Sequence, residues 1–244
     1  SRPTTTPDRA RLPMDNTVTH GVAPRGFAHQ FENIEQQRDT STFGMWVFLV
    51  TEIMFFGGLF AAFIVYRTLY PHAFETGSRL LDWRFGCANT VVLIGSSLTM
   101  VLAIYSAQIN KRGGQIFFLL VTMFLGALFL FLKFRFEWHH DYIEHLVPGF
   151  GFQVNPAWGV GASHVQMFMC FYFFMTGLHA LHMIVGIGVL TVLTVMAYRG
   201  RFDHEYYAPL DISGLYWHFV DIVWIFLFPL LYLLGGVYHI PGAH

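Results

Sequence analysis

Five long apolar stretches, separated by polar breaks of unequal length, organise this chain. They cover about residues 43–66, 85–108, 115–134, 164–198 and 213–236. Each reaches the roughly 20 residues that carry a helix across ~30 Å of hydrocarbon. The pattern therefore predicts an all-α fold, an integral membrane bundle of five transmembrane helices. The fourth stretch exceeds the required length and holds neither proline nor a polar turn, so it predicts one tilted or protruding helix rather than a hairpin. The run Lys111-Arg112-Gly113-Gly114 predicts a tight turn, which makes the second and third spans antiparallel neighbours.

The polar segments set the domain plan. Residues 1–41 contain Pro3, Pro7, Pro13 and Pro24 and no apolar run, which predicts an extended cytoplasmic N-terminal arm with a short helix near Phe31–Arg38. Residues 42–236 form the transmembrane domain and 237–244 a short C-terminal tail. The longest connection, Arg135–Ser163, is expected to be a loop. The polar, proline-rich start predicts no cleavable signal peptide. Lys and Arg counts place the N-terminus inside: nine then face the cytoplasm against five, Arg67, Arg79, Arg84, Lys133 and Arg135, on the other side. Trp46, Trp83, Trp138, Trp158 and Trp217 fall near span ends, where interfacial aromatic belts form.

Composition agrees with a membrane protein: 55% of the 244 residues are hydrophobic and 12% charged, against about 25% charged in soluble domains. A net charge of -1 gives no electrostatic reason for a nucleic-acid partner. Cys87 and Cys170 lie in separate apolar segments with no metal-binding spacing and read as packing residues.

Ionisable residues inside the apolar stretches are the candidates for chemistry, because charge in hydrocarbon is costly unless paired, neutralised or kept off the lipid. Glu52 lies about nine residues into the first span, roughly 14 Å deep. It reads either as a neutral carboxyl joining helices or as a proton-exchanging carboxyl facing a cleft. Gly57 and Ala61, then Gly58 and Ala62, are each four apart and predict a close-packing helix face. His179 and His182 share a face of the fourth span; His218 and Asp221 share one in the fifth, about a turn in. These four read as structural polar contacts, with Asp221 accepting from an imidazole or from an Arg of an adjoining chain. Axial haem ligation by the histidines is the competing reading. Glu137, His139, His140, Asp141, Glu144 and His145 read as a hydrated membrane interface or a metal site, with Lys133 and Arg135 snorkelling to that interface. Arg199, Arg201 and His204 form a basic cluster suited to lipid head groups.

Together the stretches resemble subunit III of the haem-copper oxidases. TGLHALHMIVG is similar to that family's Thr-Gly-x-His-x-x-His segment, GLYWHFVDIVWIFLF to its Tyr-Trp-His-Phe-Val-Asp ending, and TEIMFFGGLFAAF to its helix with an intramembrane Glu. The resemblance covers about Thr42 to Leu234. It implies a non-catalytic chain that binds no haem or copper of its own and works beside an oxidase subunit I, with subunit II and other respiratory subunits as further partners. Haem and copper would sit in the partners, where oxygen is reduced to water and protons are pumped. It implies bound phospholipids, support of proton uptake, and a bacterial cell membrane location. It matches Glu52 to the family's carbodiimide-reactive carboxyl, and among the possible donors to Asp221 it favours a histidine of the fourth span. Five spans instead of seven leave out the two helices that wall the family's lipid cleft, so another chain is expected to supply that wall. The competing functions are an accessory subunit of a nitric oxide reductase, a haem-bearing membrane cytochrome and a carboxylate-based ion transporter, though the chain lacks the internal repeats of the last.

Overall fold

The computed structural model describes residues 34–149, 161–200 and 208–234. Among these residues seven α-helices follow one another: α1 (Ile34–Leu69), α2 (Pro71–Leu80), α3 (Trp83–Gln108), α4 (Arg112–Leu132), α5 (His139–Ile143), α6 (Ala162–Tyr198) and α7 (Ala208–Tyr232). Five helical stretches are long and apolar enough to cross a membrane: Asp39–Leu69, Trp83–Gln108, Arg112–Ile143, Ser163–Tyr198 and Ala208–Tyr232. The protein is thus an all-helical, multi-pass membrane protein, as the apolar pattern predicts.

Helix limits differ from expectation in instructive places. α1 begins at Ile34 and so runs back through residues assigned to the arm; most of the arm and the whole C-terminal tail lie outside the described residues. α4 continues through a π-helical segment, Lys133–Trp138, directly into α5. The first part of the expected long loop is therefore helix, and the chain leaves it only at His145, whose φ is 56°. α7 starts at Ala208, five residues earlier than the apolar run suggests, which moves its polar residues to mid-helix.

Local chemistry accounts for the connections. α2 opens with Pro71 at its first turn, where a missing N–H costs nothing. It lays Ala73, Phe74 and Gly77 against α6; a Cβ on Gly77 would meet the Phe168 ring at 2.4 Å. Asp82 caps α3 by accepting from the Arg84 amide at 2.9 Å. Between α3 and α4 the turn is only Ile109–Lys111, with Asn110 at φ 56°, so these helices pack as an antiparallel hairpin. Arg112, Gly113 and Gly114, expected in the turn, already belong to α4.

Lipid tails are as apolar as leucine, so close packing and interhelical hydrogen bonds hold such a bundle together. α7 is its centre: 56% of its apolar window is buried, against 17% for α1. Trp217 shows how the centre is closed. It is buried rather than interfacial, and its ring fills the space left by two glycines. A Cβ on Gly126 of α4 would lie 2.8 Å from it, and one on Gly186 of α6 3.0 Å. Its Nε1 donates to Ser96 Oγ of α3 at 2.7 Å. Thr99 and Thr122 add a hydroxyl bond of 2.8 Å between α3 and α4. The face around Gly57 and Gly58 is open instead; among the described residues nothing lies within 4 Å of a Cβ on either, so no described helix packs there. Cys87 and Cys170 are exposed on the helix surface rather than packed inside.

Candidate functional site

Glu52 and His182 meet across 130 residues of sequence. Glu52 on α1 places Oε2 3.2 Å from His182 Nε2 on α6. The other ring nitrogen, Nδ1, lies 2.7 Å from the Leu178 carbonyl oxygen. A carbonyl only accepts, so Nδ1 carries a hydrogen. One further proton is then shared between Nε2 and the carboxyl. It sits on the carboxyl if the pair is neutral, or on Nε2 if the pair is ionic; both forms keep the hydrogen bond. Phe56 packs edge-on to the imidazole at 5.4 Å, and Tyr216 of α7 donates to the His182 carbonyl at 3.0 Å, which fixes the α6 turn that carries it. The pair is partly exposed, with side-chain exposures of 20% for Glu52 and 16% for His182. Sequence reasoning singled out both residues but did not join them.

The other histidines point elsewhere. His218 Nδ1 bonds Ser97 Oγ of α3 at 2.7 Å. His179 is buried among the rings of Phe129 and Trp224, and neither of its nitrogens has a hydrogen-bond partner. The three rings therefore engage a carboxyl, a hydroxyl and an aromatic cage, and they do not converge on a common centre. Asp221 corrects the expectation most directly. It is buried, and neither carboxyl oxygen makes a hydrogen bond. No histidine of α6 serves it: His182 is given to Glu52, and His179 stands unbonded in its aromatic cage. Ser97 is its polar neighbour, with a hydroxyl engaged by His218. So His182 and His218 make side-chain hydrogen bonds, His179 makes none, and Asp221 has only the occupied Ser97 hydroxyl nearby.

A second polar centre escaped sequence reasoning. Lys133 does not snorkel to the surface; it is 1% exposed at the heart of the bundle. The π-helical segment aims Lys133 and Glu137 inward together, and Lys133 donates to Glu137, to Tyr172 of α6 and to Tyr232 of α7. Both tyrosine hydroxyls donate in turn to Glu137 Oε2. The ammonium also stands over the rings of Tyr172, Trp224 and Tyr232, at 4.7, 5.2 and 5.1 Å. Charge is tolerated here because the ammonium has three acceptors and Glu137 Oε2 three donors, the added hydrogen bonds that a buried ion pair requires. The expected polar interface at 137–145 thus splits in two. Glu137 and Asp141 face inward, while His140 and Glu144 pair outside at 3.5 Å. Among the described residues no three His, Cys, Asp or Glu side chains are grouped to hold a metal ion. Arg199 is exposed at the end of α6; Arg201 and His204 lie outside the described residues.

Two grooves flank the exposed edge of α7. One, of about 470 Å³ between α1 and α7, is almost wholly apolar and takes in Trp46, Phe56, Gly57 and Phe60 opposite Phe219 and Phe226. The other, of about 400 Å³ between α3 and α7, takes in Ser97, His218 and Asp221.

Five apolar spans, with a carboxyl–imidazole contact joining α1 to α6, define the class: a multi-pass helical membrane protein. The comparison with known proteins gives the family: residues 28–236 match the model of cytochrome c oxidase subunit III, and the chain belongs to that family. It is 32% identical over 197 residues to a probable quinol oxidase subunit 3 of Staphylococcus haemolyticus, covering 80% of this chain and 89% of the relative. A cytochrome c oxidase subunit 3 of Thermostichus vulcanus is 30% identical over 214 residues, covering 87% and 96%. A cytochrome bo(3) ubiquinol oxidase subunit 3 of Pseudomonas aeruginosa is 28% identical over 211 residues, covering 86% and 92%. The chain is an accessory subunit of a haem-copper oxidase, as its motifs imply.

Proposed function

We propose that this chain stabilises the catalytic subunit of a bacterial terminal oxidase in the cell membrane and sustains its proton uptake, with phospholipids held along its grooves. The shared proton of Glu52 and His182 carries this reading. A carboxyl and an imidazole in hydrogen-bond contact exchange a proton without creating an isolated charge, the arrangement that costs least inside a membrane. The apolar groove between α1 and α7 lies beside the pair, and lipid chains or a partner helix would complete it. The electron donor differs among the relatives, whose names include both cytochrome c and quinol oxidases; the haem and copper of this chain's complex belong to subunits I and II.

The N-terminus faces the cytoplasm in this reading. Removing the buried Lys133 from the five outer cations leaves four against nine, which strengthens the asymmetry. Arg199, Arg201 and His204 then meet head groups on the cytoplasmic side.

Dicyclohexylcarbodiimide, which reacts with protonated carboxyls in apolar surroundings, tests the pair. Labelling of Glu52 in the intact complex, absent in Glu52→Gln, together with slower proton uptake on labelling, is the expected result. Full proton uptake by a complex depleted of this chain, throughout prolonged turnover, would overturn the proposal.

A further inference from the structure

We infer that the groove between α3 and α7 receives a transmembrane helix of a partner subunit, and that this helix presents a hydrogen-bond-donating or cationic side chain to Asp221 at mid-membrane depth. The inference rests on the accessory-subunit reading and names the contact through which the chain would be held.

Two observations meet here. First, Asp221 is 3% exposed, neither of its carboxyl oxygens makes a hydrogen bond, and its polar neighbour Ser97 has its hydroxyl engaged by His218. Buried carboxyls without partners are rare, because the group forfeits its hydration and regains nothing. Second, Asp221 lines a groove of about 400 Å³ that opens on the lipid-facing side of the bundle. Apart from Ser97 and His218, that groove is walled by apolar residues, among them Ile94, Leu98, Val101, Ile222 and Ile225. Leu98 and Ile94 are 61% and 56% exposed, so the walls are bare in this chain.

Depth decides what fills it. Asp221 lies 13 residues after the first residue of α7 and 11 before the last. At 1.5 Å per residue it is about 20 Å from one end and 17 Å from the other. Water and lipid head groups stop short of that depth, and acyl chains offer no donor. A donor can arrive there only on another membrane-spanning segment. A helix fits the walls as well, since its apolar side chains would cover Ile94, Leu98 and Ile225 while one polar residue reaches inward.

The test uses the purified oxidase complex and the chain purified alone in mild detergent. Asp221→Leu removes the acceptor and keeps bulk; Leu98→Trp obstructs the groove without touching the carboxyl. Both should weaken retention of the chain in the complex, by about tenfold for Asp221→Leu, the effect of losing one hydrogen bond to a charged group. Neither should lower the unfolding temperature of the isolated chain, which separates lost docking from misfolding. Asp221 should react with carbodiimide in the isolated chain and be shielded in the complex. Equal labelling in both states would overturn the inference. So would an Asp221→Leu variant that is less stable alone yet fully retained, because the carboxyl's partner would then be internal, with Ser97 the obvious donor. Wild-type chain that co-purifies with no haem-containing subunit would instead sink the accessory-subunit reading itself.

Discussion

Replacing Lys133 by Met should be among the most damaging single changes in the bundle, and a second change should repair it. The ammonium is the hub of a buried array: it donates to Glu137, Tyr172 and Tyr232 and stands over three aromatic rings. Met matches its length but leaves the Glu137 carboxylate buried with two tyrosine donors and no counter-charge. Breaking a buried pair from one side costs about 3–5 kcal/mol, most of it the stranded charge. Glu137→Gln strands the ammonium and should cost a similar amount. The double variant Lys133→Met/Glu137→Gln strands nothing. It keeps the tyrosines hydrogen-bonded to the amide, so it should lie within about 1–2 kcal/mol of wild type. The coupling energy of this cycle should therefore exceed ~2 kcal/mol, well above the ~0.5 kcal/mol expected for independent sites. The assay is reversible unfolding of the purified chain in mixed detergent micelles, followed by near-ultraviolet circular dichroism and Trp fluorescence. Singles within 1 kcal/mol of wild type, or a double as damaging as the sum of its parts, would refute the idea that Lys133 and Glu137 form a mutually dependent buried pair.

Glycine contacts give a graded set. Gly126→Ala drives a methyl against the buried Trp217 ring and should cost about 1–3 kcal/mol, read as a lower unfolding temperature. Gly57→Ala meets open space and should be neutral or raise stability by up to ~1 kcal/mol through helix propensity; a large loss in the isolated chain would show that the open face is closed. Gly200→Ala should cost at least ~1 kcal/mol, because Gly200 sits at φ +65° and a Cβ would meet the Arg112 guanidinium at 2.7 Å. Glu52→Leu should weaken the attachment of α1 to α6, seen as faster proteolysis of the α1–α2 connection, whereas Glu52→Gln keeps a donor for His182 Nε2 and should leave cleavage unchanged.

Which features were legible in the sequence follows from how far each signal reaches along the chain. Five spans can be read because each is a local property of some 20 residues. Glu52 and the four polar residues of α6 and α7 stand out for the same reason, as charge within an apolar run. Partners are not local. A histidine of the fourth span is the expected donor to Asp221, yet His182 turns to Glu52, 130 residues away, because the Leu178 carbonyl fixes its tautomer and aims Nε2 at α1. Lys133 and Glu137 were misplaced outright. Lys near the end of an apolar run ordinarily snorkels, and no periodicity announces that a π-helical segment will turn both side chains inward. The depth of Asp221 was misjudged because residues 208–212, including Pro209 and Asp211, do not look like the start of a membrane helix, although proline is well suited to a first turn. Trp217 was read as a belt residue because its glycine seats lie on α4 and α6, at positions that reveal nothing by themselves.

The loose attachment of α1 has a consequence for how the chain is made. Apart from α2, the elements α1 packs against are α6 and α7. Both emerge from the ribosome after more than 90 further residues, and the partner of Glu52 comes 130 residues behind it. At about 5–20 residues per second, that interval lasts roughly 6–26 s. Throughout it α1 is already in the bilayer with a carboxyl at mid-depth and an unfilled glycine face. α1 is thus made well before the helices that secure it, and for those seconds a neighbouring nascent chain, a lipid or an insertion chaperone competes for the same surface. Quality control of this subunit is expected to act on that exposed helix, so that variants slowing the arrival of α6 should be degraded even where the finished bundle would be sound.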